Sequence, residues 1–368
     1  MNVVWLVACA LSGSICLLPV VYRAVLSFRA AAASGAGSDA GDGVTPFISV
    51  IVAARNEEAV IGKKLRQLAE SDYPAALREI IVVDDASDDG TAAAAAGAEA
   101  TLLRLSRPSG KIGALNRGLE RARGEVVVLT DADTDIGPGS LRGLAGRFRD
   151  PEIGAVSGRL RARPGGRSAG YERAYLAEEN RLQAMESAFS SVPFMYGQLC
   201  GFRRALVERI NPASAVDDIE LALEIVGGGF RVVQEPSAEV EETAPPTVGE
   251  LLRQKRRRGS CTLEVVVRHL RLLRPRYGFF ALTFLVRRLL PFFFPLLLAV
   301  FLGSLALSAG PWAALVAAVA VWIAAFAAGG NFTVYMTLMQ GVIVLIWYDY
   351  LFRRHPVGGN WKTSGGEP

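Results

Sequence analysis

The sequence predicts an α/β protein with a mostly parallel sheet and with membrane helices near both ends of the chain. Three observations lead to this prediction. Hydrophobic residues make up 51% of the 368 residues and charged residues 21%, a mixture too apolar for an average soluble enzyme and too charged for a wholly embedded transporter. Long uncharged runs lie towards both ends of the chain. Between them, short β-branched runs alternate with helical patterns.

The first element is an apolar run from Val3 to Tyr22 that carries no charge. About 20 helical residues cross a hydrocarbon core, so this run is long enough to span a membrane. Arg23 and Arg29 follow the run and no basic residue precedes it, which favours an uncleaved anchor with its carboxyl side in the cytosol. We therefore assign residues 1–29 to an anchor and the Gly-, Ala- and Ser-rich residues 30–45 to a flexible linker.

Residues 46–246 are predicted to form one globular domain of alternating strands and helices. The predicted strands are Ile48–Ala54, Ile80–Val83, a short one near Leu102 and Val126–Thr130; the predicted helices are Glu58–Ala69, one near Ala92 and Ile112–Ala122. Strands separated by helices indicate a parallel sheet, which binds ligands at the carboxyl ends of its strands. We expect Arg55, Asp84, Asp85 and Asp131 to converge there.

The last third of the chain is basic and then apolar. Arginines among leucines in residues 247–280 predict an amphipathic helix on anionic headgroups, and the apolar runs that follow favour a membrane over a nucleic acid as its partner. Residues 281–352 are assigned to membrane helices and 353–368 to a polar tail. The candidate spans are Leu289–Leu307, Trp312–Ala328 and Phe332–Tyr350. Three spans would place Arg353 and Arg354 outside, against the positive-inside rule, so the number and parity of the spans stay open.

Several kinds of site are excluded by missing patterns. The four cysteines have no C-x-x-C spacing and two of them lie in the first apolar run, so neither a disulfide framework nor a zinc site is encoded. The G-x-G-x-x-G and P-loop patterns are also absent. What is left is a carboxylate-rich site on a parallel sheet that suits a nucleotide and a metal ion.

Three motifs follow one another in the central domain. They are S-V-I-V-A-A-R-N-E-E at residues 49–58, V-V-D-D-A-S-D-D-G-T at 82–91 and T-D-A-D-T at 130–134. In order and spacing they resemble family 2 glycosyltransferases of the GT-A fold, in the membrane-bound branch that is cellulose synthase-like or poly-N-acetylglucosamine synthase-like. The resemblance covers about residues 46–259. It implies a Rossmann-like GT-A domain that transfers a sugar from a nucleotide diphosphate donor.

The resemblance assigns the first two motifs to the nucleotide. Ala53, Arg55 and Glu57 lie in the donor-binding first motif. Asp85 stands where the family uses a carboxylate to accept the ring N–H of a uracil, so the donor is expected to be a UDP-sugar. Asp84 is expected to support the turn, and the structural alternative for this motif is capping of the next helix.

The third motif is the D-x-D sequence of Asp131 and Asp133, to which the resemblance assigns a divalent cation. Mg²⁺ and Mn²⁺ bind carboxylate and phosphate oxygens, and such an ion neutralises charge on a leaving diphosphate. We assign Asp133 to the metal and Asp131 to the donor. Lys111, in a G-K-x-x-A-L-N segment that matches the family, is expected to meet phosphate at a helix N-terminus.

Asp218 is the candidate catalytic base. The surrounding V-D-D-I-E-L-A-L run resembles the family's E-D-x-x-L segment, with Asp217 in place of the usual glutamate. Leu221 and Ile225 are expected to bury the same helical face and hold the carboxylate rigidly, and an N-cap is the structural alternative. Residues 197–204 resemble the family stretch ahead of the base and are interpreted as a wall on the acceptor side.

Gln254 and Arg257 match two positions of the family's Q-x-x-R-W motif, and Arg258 stands where the tryptophan would be. A guanidinium forks onto a pair of diphosphate oxygens, so we assign both residues to the donor. The missing tryptophan removes an aromatic platform for an acceptor sugar, which argues against processive polymer synthesis.

Taken with the resemblance, these residues predict an inverting, metal-dependent transfer from a nucleotide diphosphate sugar to a hydroxyl of a lipid or oligosaccharide. The enzyme is expected in the cell membrane, with its catalytic domain in the cytosol and with no nucleic-acid partner. A polyprenyl phosphate acceptor, which needs no base, a processive synthase and a non-catalytic nucleotide-sugar-binding module remain the alternatives. The sugar, the acceptor and the oligomeric state stay open.

Overall fold

A computed structural model describes residues 3–33, 45–96, 99–165, 168–212, 214 and 216–352. These residues divide into two compact units. The described parts of residues 36–163 and 186–243 form one, which we call the sheet unit. Those of residues 1–35, 164–185 and 244–355 form the other, which we call the helical unit.

The regular elements of the described residues follow the predicted alternation. The strands are β1 (Ile48–Ala54), β2 (Arg78–Asp84), β3 (Thr101–Arg104), β4 (Val126–Asp131), β5 (Asp135–Ile136), β6 (Ile153–Ala162), β7 (Leu199–Arg203) and β8 (Arg231–Glu242). The α-helices are α1 (Val3–Ala33), α2 (Glu58–Ala69), α3 (Thr91–Ala95), α4 (Gly110–Arg121), α5 (Ser140–Gly146), α6 (Ala169–Ser187), α7 (Asp217–Gly227), α8 (Val248–Arg268), α9 (Phe279–Phe284), α10 (Leu290–Ala309) and α11 (Pro311–Phe352).

All eight strands described belong to one sheet, in the order β3-β2-β1-β4-β7-β6-β8-β5. The first four are parallel to one another, as predicted from the sequence. Strand β7 is antiparallel to both β4 and β6, β8 is parallel to β6, and β5 is antiparallel to β8. The sheet is therefore mixed, and its parallel half carries the predicted motifs.

Strands β1 and β4 are neighbours in the interior of the eight-stranded sheet. Every residue of β1 is buried, and so is every residue of β4 except its last, Asp131. Near-continuous runs of Val, Ile and Leu are typical of strands covered on both faces. Helix α4 lies against β1 so closely that a Cβ added to Gly118 would sit 2.5 Å from Ile51 Cγ2.

A polar network aligns the amino ends of β1, β2 and β4. Ser49 Oγ donates to Glu79 Oε1 at 2.6 Å and accepts from the backbone N–H of Gly124 at 2.7 Å. The side chain and backbone of Arg123 also donate to Glu79. Burial raises the pKa of Glu79, but the hydrogen bonds from Ser49 and Arg123 outweigh it and hold the pKa below its usual value.

Three helical stretches in the described residues are long and apolar enough to cross a membrane: Val7–Ala33, Phe279–Ala309 and Val334–Phe352. Helix α10 packs against α1 and α11. Large apolar side chains on these helices point outward, with Phe28 78% and Trp312 76% exposed, as expected of surfaces that meet lipid.

Two boundaries in the apolar regions differ from the prediction. Helix α1 continues through Ala33 rather than ending at residue 29, because alanine is the strongest helix former; the rest of the expected linker, residues 34–44, lies outside the described residues. The expected spans Trp312–Ala328 and Phe332–Tyr350 are parts of one 42-residue helix, α11. No proline interrupts α11, and glycines alone cost only about 1 kcal/mol each. The tail, with Arg353 and Arg354, also lies outside the described residues.

The basic segment is only partly helical. Helix α8 begins at a capping box formed by Thr247 and Glu250 and ends at Arg268. The expected helix through Arg276 is replaced by two 3₁₀ turns, Leu270–Leu273 and Pro275–Tyr277. The prolyl ring of Pro275 disfavours a helical conformation of Arg274, and Arg274 is extended, with φ −68° and ψ 142°, between the two 3₁₀ turns.

Gly124 offers a test of the packing at the start of β4. A Cβ at this position would lie 2.5 Å from the backbone N of Ser49 and 2.7 Å from the carbonyl carbon of Ile48. We expect Gly124→Ala to lower the free energy of unfolding by about 1–3 kcal/mol through overpacking, measured as a lower thermal midpoint of the detergent-purified protein. Gly146→Ala is the matched control, since nothing lies within 4 Å of its added Cβ. Equal midpoints for the two variants would contradict this packing.

Candidate active site

Polar residues meet at the carboxyl ends of β1, β2 and β4. In the sheet register, Ala53 is opposite Asp131 of β4, and Ala54 is opposite Asp84 of β2. The carboxyl ends of adjacent parallel strands border the crevice where α/β sheets bind ligands. The convergence expected from the sequence is therefore present for the strand-end residues of these three strands.

The loop after β1 carries the other residues of the first motif. Ala53 and Glu57 are buried, and Arg55 is half-buried. The backbone N–H of Glu57 donates to Thr91 Oγ1 at 2.8 Å, which ties the start of α2 to the start of α3. The donor-binding roles of Ala53, Arg55 and Glu57 stay predictions.

Two residues at these strand ends adopt a left-handed backbone. Asn56, after β1, has φ +55°, and Ala86, after β2, has φ +56°. This conformation is uncommon for residues other than glycine and concentrates at functional sites. The two loops also bond to each other, because Asn56 accepts from the backbone N–H of Asp88 and donates its own N–H to Ser87 Oγ, both at 3.0 Å.

The two carboxylates at the end of β2 have different partners. Asp84 Oδ1 accepts from the N–H of Ser87 at 3.0 Å, so Asp84 supports the turn as expected. Asp85 is completely buried and accepts from Ser109 N, Ser109 Oγ and Gly110 N at 2.6, 2.8 and 2.9 Å. The carboxylate thus caps α4 rather than the next helix, α3. Its expected contact with a uracil stays a prediction.

Lys111 stands in the first turn of α4, where Asp85 fixes the backbone. Its Nζ lies 2.7 Å from Asp131 Oδ1. Burial lowers the pKa of Lys111, but the charges of Asp131, Asp217 and Asp218 raise it, and the net result is a pKa above the usual value. The ammonium is therefore a permanent positive charge among the carboxylates.

The D-x-D residues carry carboxylates of the kind that a hard divalent cation binds. Asp131 is half-buried at the end of β4 and Asp133 is exposed. Although the side chain of Asp133 is exposed, the surrounding protein displaces part of its water, and this desolvation and the charge of Asp131 both raise the pKa of Asp133. Mg²⁺ and Mn²⁺ are usually held by one or two carboxylates together with substrate phosphates. Asp131 and Asp133 fit such an ion, which would also offset their mutual repulsion.

Asp218 occupies the first turn of α7, whose N-cap residue is Val216. Its Oδ1 accepts from the N–H of Ile219 at 2.8 Å, and its Oδ2 accepts from the N–H of Gly197 at 3.3 Å. Leu221 is 2% and Ile225 4% exposed, which confirms the buried helical face. The N-cap alternative for Asp218 is wrong, and its role as base stays a prediction.

The segment 197–204 lies directly beside this carboxylate. A Cβ added to Gly197 would sit 3.3 Å from Asp218 Oδ2. Cys200, further along in β7, is completely buried, and burial together with Asp217 and Asp218 raises the pKa of its thiol well above the usual value. The thiol therefore stays neutral. The role of the segment as an acceptor-side wall stays a prediction.

Several predicted site residues lie close enough to Lys111 to shift its pKa. Asp131, Asp217 and Asp218 act on Lys111, and the same three carboxylates act on Cys200. Residues from α4, β4 and α7 thus share one region of the sheet unit. Carboxylates from separate stretches of sequence therefore act on one cationic side chain there.

Gln254 and Arg257 belong to the other unit. Both lie on α8, where Gln254 is half-buried and Arg257 is exposed. Their predicted contact with the donor diphosphate stays a prediction.

Comparison with known proteins identifies the family. The family described as "Glycosyltransferase like family 2" matches residues 45–261, more than half of the chain. The chain belongs to this family. The matched range contains all the predicted site residues, and it confirms the resemblance carried by the three motifs.

A solved structure gives the fold of this glycosyltransferase. A mannosyltransferase from Pyrobaculum calidifontis, in complex with GDP-Man and Mn²⁺, is 25% identical with a TM-score of 0.73, and the match covers 95% of this chain and 100% of that chain. The predicted GT-A fold is therefore confirmed, with apolar helices at the N-terminus and in the C-terminal region.

Relatives of known activity cover shorter parts. A beta-monoglucosyldiacylglycerol synthase of Trichormus variabilis is 38% identical over 121 residues, which is 31% of this chain and 26% of that protein. An N-acetylglucosaminyltransferase of Neorhizobium galegae is 27% identical over 265 residues, 66% of this chain and 61% of that protein. The glycosyltransferase thus spans between about a quarter and three fifths of these relatives. It uses a sugar donor, as its family does.

Lys64 is a residue of the glycosyltransferase site that the sequence reasoning missed. Its side chain, on α2, is 1% exposed, and its Nζ donates to the carbonyl oxygen and to Oγ1 of Thr134 at 2.9 and 3.1 Å. Lys64 therefore holds the loop after the D-x-D motif from the interior. One sequence signal could have identified Lys64 as buried. It lies three residues after Ile61 and one before Leu65, on the face of α2 that is buried.

Asn116, the last residue of the G-K-x-x-A-L-N segment, was also given no role. Its Nδ2 donates to the carbonyl oxygen of Ile210, and the N–H of Ile210 donates to Asn116 Oδ1, both at 2.8 Å. The side chain is 6% exposed. This paired bond joins α4, which carries Lys111, to the chain that leads into α7. Only the fold brings these partners together, because 94 residues separate them.

The buried ammonium of Lys64 predicts a pH dependence of stability. Burial lowers its pKa to about 8, although Asp131, Asp133 and Asp135 partly oppose the shift. Between pH 8 and the unfolded value near 10.4 the unfolded chain binds more protons than the folded one, so folding stability rises with pH. Relative to Lys64→Met, we expect the wild type to gain about 2 kcal/mol between about pH 7.5 and 9.5, measured by denaturation in the presence of a chelator.

The exposed neighbour Lys63 provides the matched control for this experiment. Lys63→Met also removes a lysine from α2. The side chain of Lys63 is exposed to solvent, and its Nζ lies 2.7 Å from Asp135. A difference between wild type and Lys64→Met that does not change with pH would contradict the buried ammonium, and so would an equal change for Lys63→Met.

Proposed function

We propose that the protein is an inverting, divalent-cation-dependent glycosyltransferase that moves a sugar from a UDP-sugar to a hydroxyl of a lipid or oligosaccharide at the cell membrane. One observation carries the proposal. The carboxylate of Asp218 is fixed beside Gly197 and lies within electrostatic range of Lys111, which itself pairs with Asp131 of the D-x-D motif. The residues proposed as base, as phosphate-binding cation and as metal ligand thus lie in one region, which supports the proposal.

The donor would bind along the carboxyl ends of β1, β2 and β4. Lys111 supplies a positive charge at the start of a helix, where backbone N–H groups and the helix dipole also favour phosphate. Gln254 and Arg257 are proposed to meet the diphosphate as well. UDP is the proposed nucleotide because of the family position of Asp85, and GDP is the competing one because the mannosyltransferase neighbour holds GDP-Man.

The cation would be held by Asp131 and Asp133. When bound, a Mg²⁺ or Mn²⁺ ion neutralises charge on the departing diphosphate. Lys64 restrains the residue after Asp133 through its hydrogen bonds to Thr134. Lys111, which pairs with Asp131 at 2.7 Å, would add a second positive charge beside the ion.

Asp218 is proposed to take the proton of the acceptor hydroxyl. As that proton moves to the carboxylate, the acceptor oxygen bonds to the anomeric carbon of the sugar and the bond from that carbon to the phosphate oxygen breaks. Attack from the face opposite the leaving group inverts the anomeric centre. The N–H of Gly197 and the buried face of α7 hold the carboxylate in one position.

The acceptor is proposed to be membrane-associated. The three apolar stretches support a position at a membrane, and one relative is a beta-monoglucosyldiacylglycerol synthase. A polyprenyl phosphate is already ionised and would not need Asp218. Processive synthesis is disfavoured because Arg258 replaces the tryptophan of the family motif.

The proposed base is tested by Asp218→Asn. We expect sugar transfer from labelled nucleotide sugars into lipid extract or polymer to fall by roughly 100-fold or more, since general-base catalysis contributes about 10²–10⁴. The affinity for UDP should stay within a few-fold, because the amide keeps the shape of the side chain. Glu208→Gln, which neutralises an exposed carboxylate, is the control. Unchanged turnover in Asp218→Asn would remove the base assignment, and loss of turnover with Glu208→Gln would point to a general effect of charge.

The proposed metal dependence is tested by chelation. We expect transfer to stop when divalent ions are removed and to return with Mn²⁺ or Mg²⁺, because carboxylates and phosphates together form the site. Asp133→Asn should need a metal concentration at least about tenfold higher for the same rate, as one charged ligand is lost. Full activity in excess chelator would contradict the proposal.

A further inference from the structure

A basic surface lies between the end of α8 and the start of α9. We call residues 267–277 the basic turn. It exposes the side chains of Arg268, Arg271, Arg274 and Arg276, and the sequence from residue 265 to residue 289 contains no aspartate or glutamate. Arg271 and Arg274 therefore carry positive charge that no carboxylate within residues 265–289 balances.

The cations of α8 are used differently. Lys255 Nζ lies 2.7 Å from Glu172, and Arg256 forms two 2.7 Å hydrogen bonds to Asp349. These pairs join α8 to α6 and to α11 within the helical unit. Among the described residues, by contrast, no carboxylate forms an ion pair with Arg271 or Arg274. The basic turn thus has positive charges to offer to a ligand, whereas these cations of α8 stabilise the helical unit.

Apolar side chains accompany the exposed arginines. Val267 and Leu270 are each 41% exposed, while His269 and Leu272 are buried. Arg276 donates to the hydroxyl of Tyr277 at 2.7 Å, and its guanidinium lies 4.8 Å from the centre of that ring. A surface that mixes exposed aliphatic and aromatic groups with arginines is typical of the boundary between lipid headgroups and acyl chains.

The position of the basic turn in the chain indicates the same boundary. The apolar stretch Phe279–Ala309 starts two residues after Tyr277. If this stretch enters the hydrocarbon core, the preceding turn lies at the level of the headgroups. Arginines at that level are attracted to anionic lipids, each by roughly fivefold in binding.

We infer that the basic turn binds the headgroup phosphates of anionic phospholipids in the membrane that receives α9 and α10. On a lipid surface each of the separated guanidinium groups can bind a different headgroup phosphate. A single soluble phosphate could not bind them all. The exposed Val267 and Leu270, and the apolar stretch that follows, favour a lipid surface over a nucleic acid. The inference concerns the membrane that the protein prefers and does not depend on the proposed transfer reaction.

The experiment compares the full chain in nanodiscs of phosphatidylcholine alone and in nanodiscs that also contain phosphatidylglycerol. The readout is the rate of amide hydrogen exchange in residues 267–277, which does not require activity. We expect exchange in the wild type to be several-fold slower with phosphatidylglycerol. In Arg271→Gln/Arg274→Gln the two lipids should give nearly equal exchange, because each arginine contributes roughly fivefold to the attraction for anionic lipid.

Arg117→Gln/Arg121→Gln is the matched control, because it removes two exposed arginines from α4 of the sheet unit. It should keep the response of the wild type, and equal thermal midpoints in phosphatidylcholine discs would confirm that all variants are folded. Equal exchange of the wild type in the two lipids would overturn the inference. Protection of the basic turn by inorganic phosphate or by a short RNA in phosphatidylcholine discs would also overturn it, in favour of a soluble ligand.

Discussion

The accumulation of negative charge at one edge of the sheet is the constraint on which the rest of the site depends. Asp131, Asp133, Asp217 and Asp218 come from β4, the loop after it and α7, and like charges at short range cost free energy. Lys111 compensates part of this charge through its 2.7 Å contact with Asp131. A bound divalent ion would compensate more of the negative charge. Binding it would therefore stabilise the folded site.

Much of the surrounding structure serves to keep these charges in place. Asp85 fixes the start of α4 and thereby Lys111, while Asn116 connects the same helix to the chain before α7. The N–H of Gly197 restrains Asp218 from the other side. A catalytic group gains most from such positioning, because orientation fixed before the reaction does not have to be imposed during it.

The sequence predicted the parallel half of the sheet well. Strand β1 and helix α2 have the predicted bounds, since continuous β-branched runs and a 3.6-residue period are local signals. The other half of the sheet, from β5 to β8, pairs strands in both directions and was not predicted, because register and strand order there depend on contacts distant in sequence. Pro275, which separates the two 3₁₀ turns, is visible in the sequence, but the arginines spaced among leucines around it resemble an amphipathic helix.

The candidate site shows the same division between local and distant signals. The motifs predicted the carboxylates and Lys111 because family patterns mark residue types at fixed spacing. Lys64 was missed, since a lysine on the apolar stripe of a helix looks like an exception until its buried partner, Thr134, is known. The bond of Asp85 to Ser109 was missed for the same reason. Both bonds join stretches of chain that only the folded sheet brings together.

The central claim is that the gathered carboxylates, Lys111, a divalent ion and the donor diphosphate form one site. Calorimetric titration of UDP with and without Mn²⁺ tests it most directly, because binding at a shared site must be reciprocal. The account predicts that Mn²⁺ raises the affinity for UDP at least about tenfold in the wild type and that this gain disappears in Asp133→Asn. An affinity for UDP that is the same with and without the ion would contradict it.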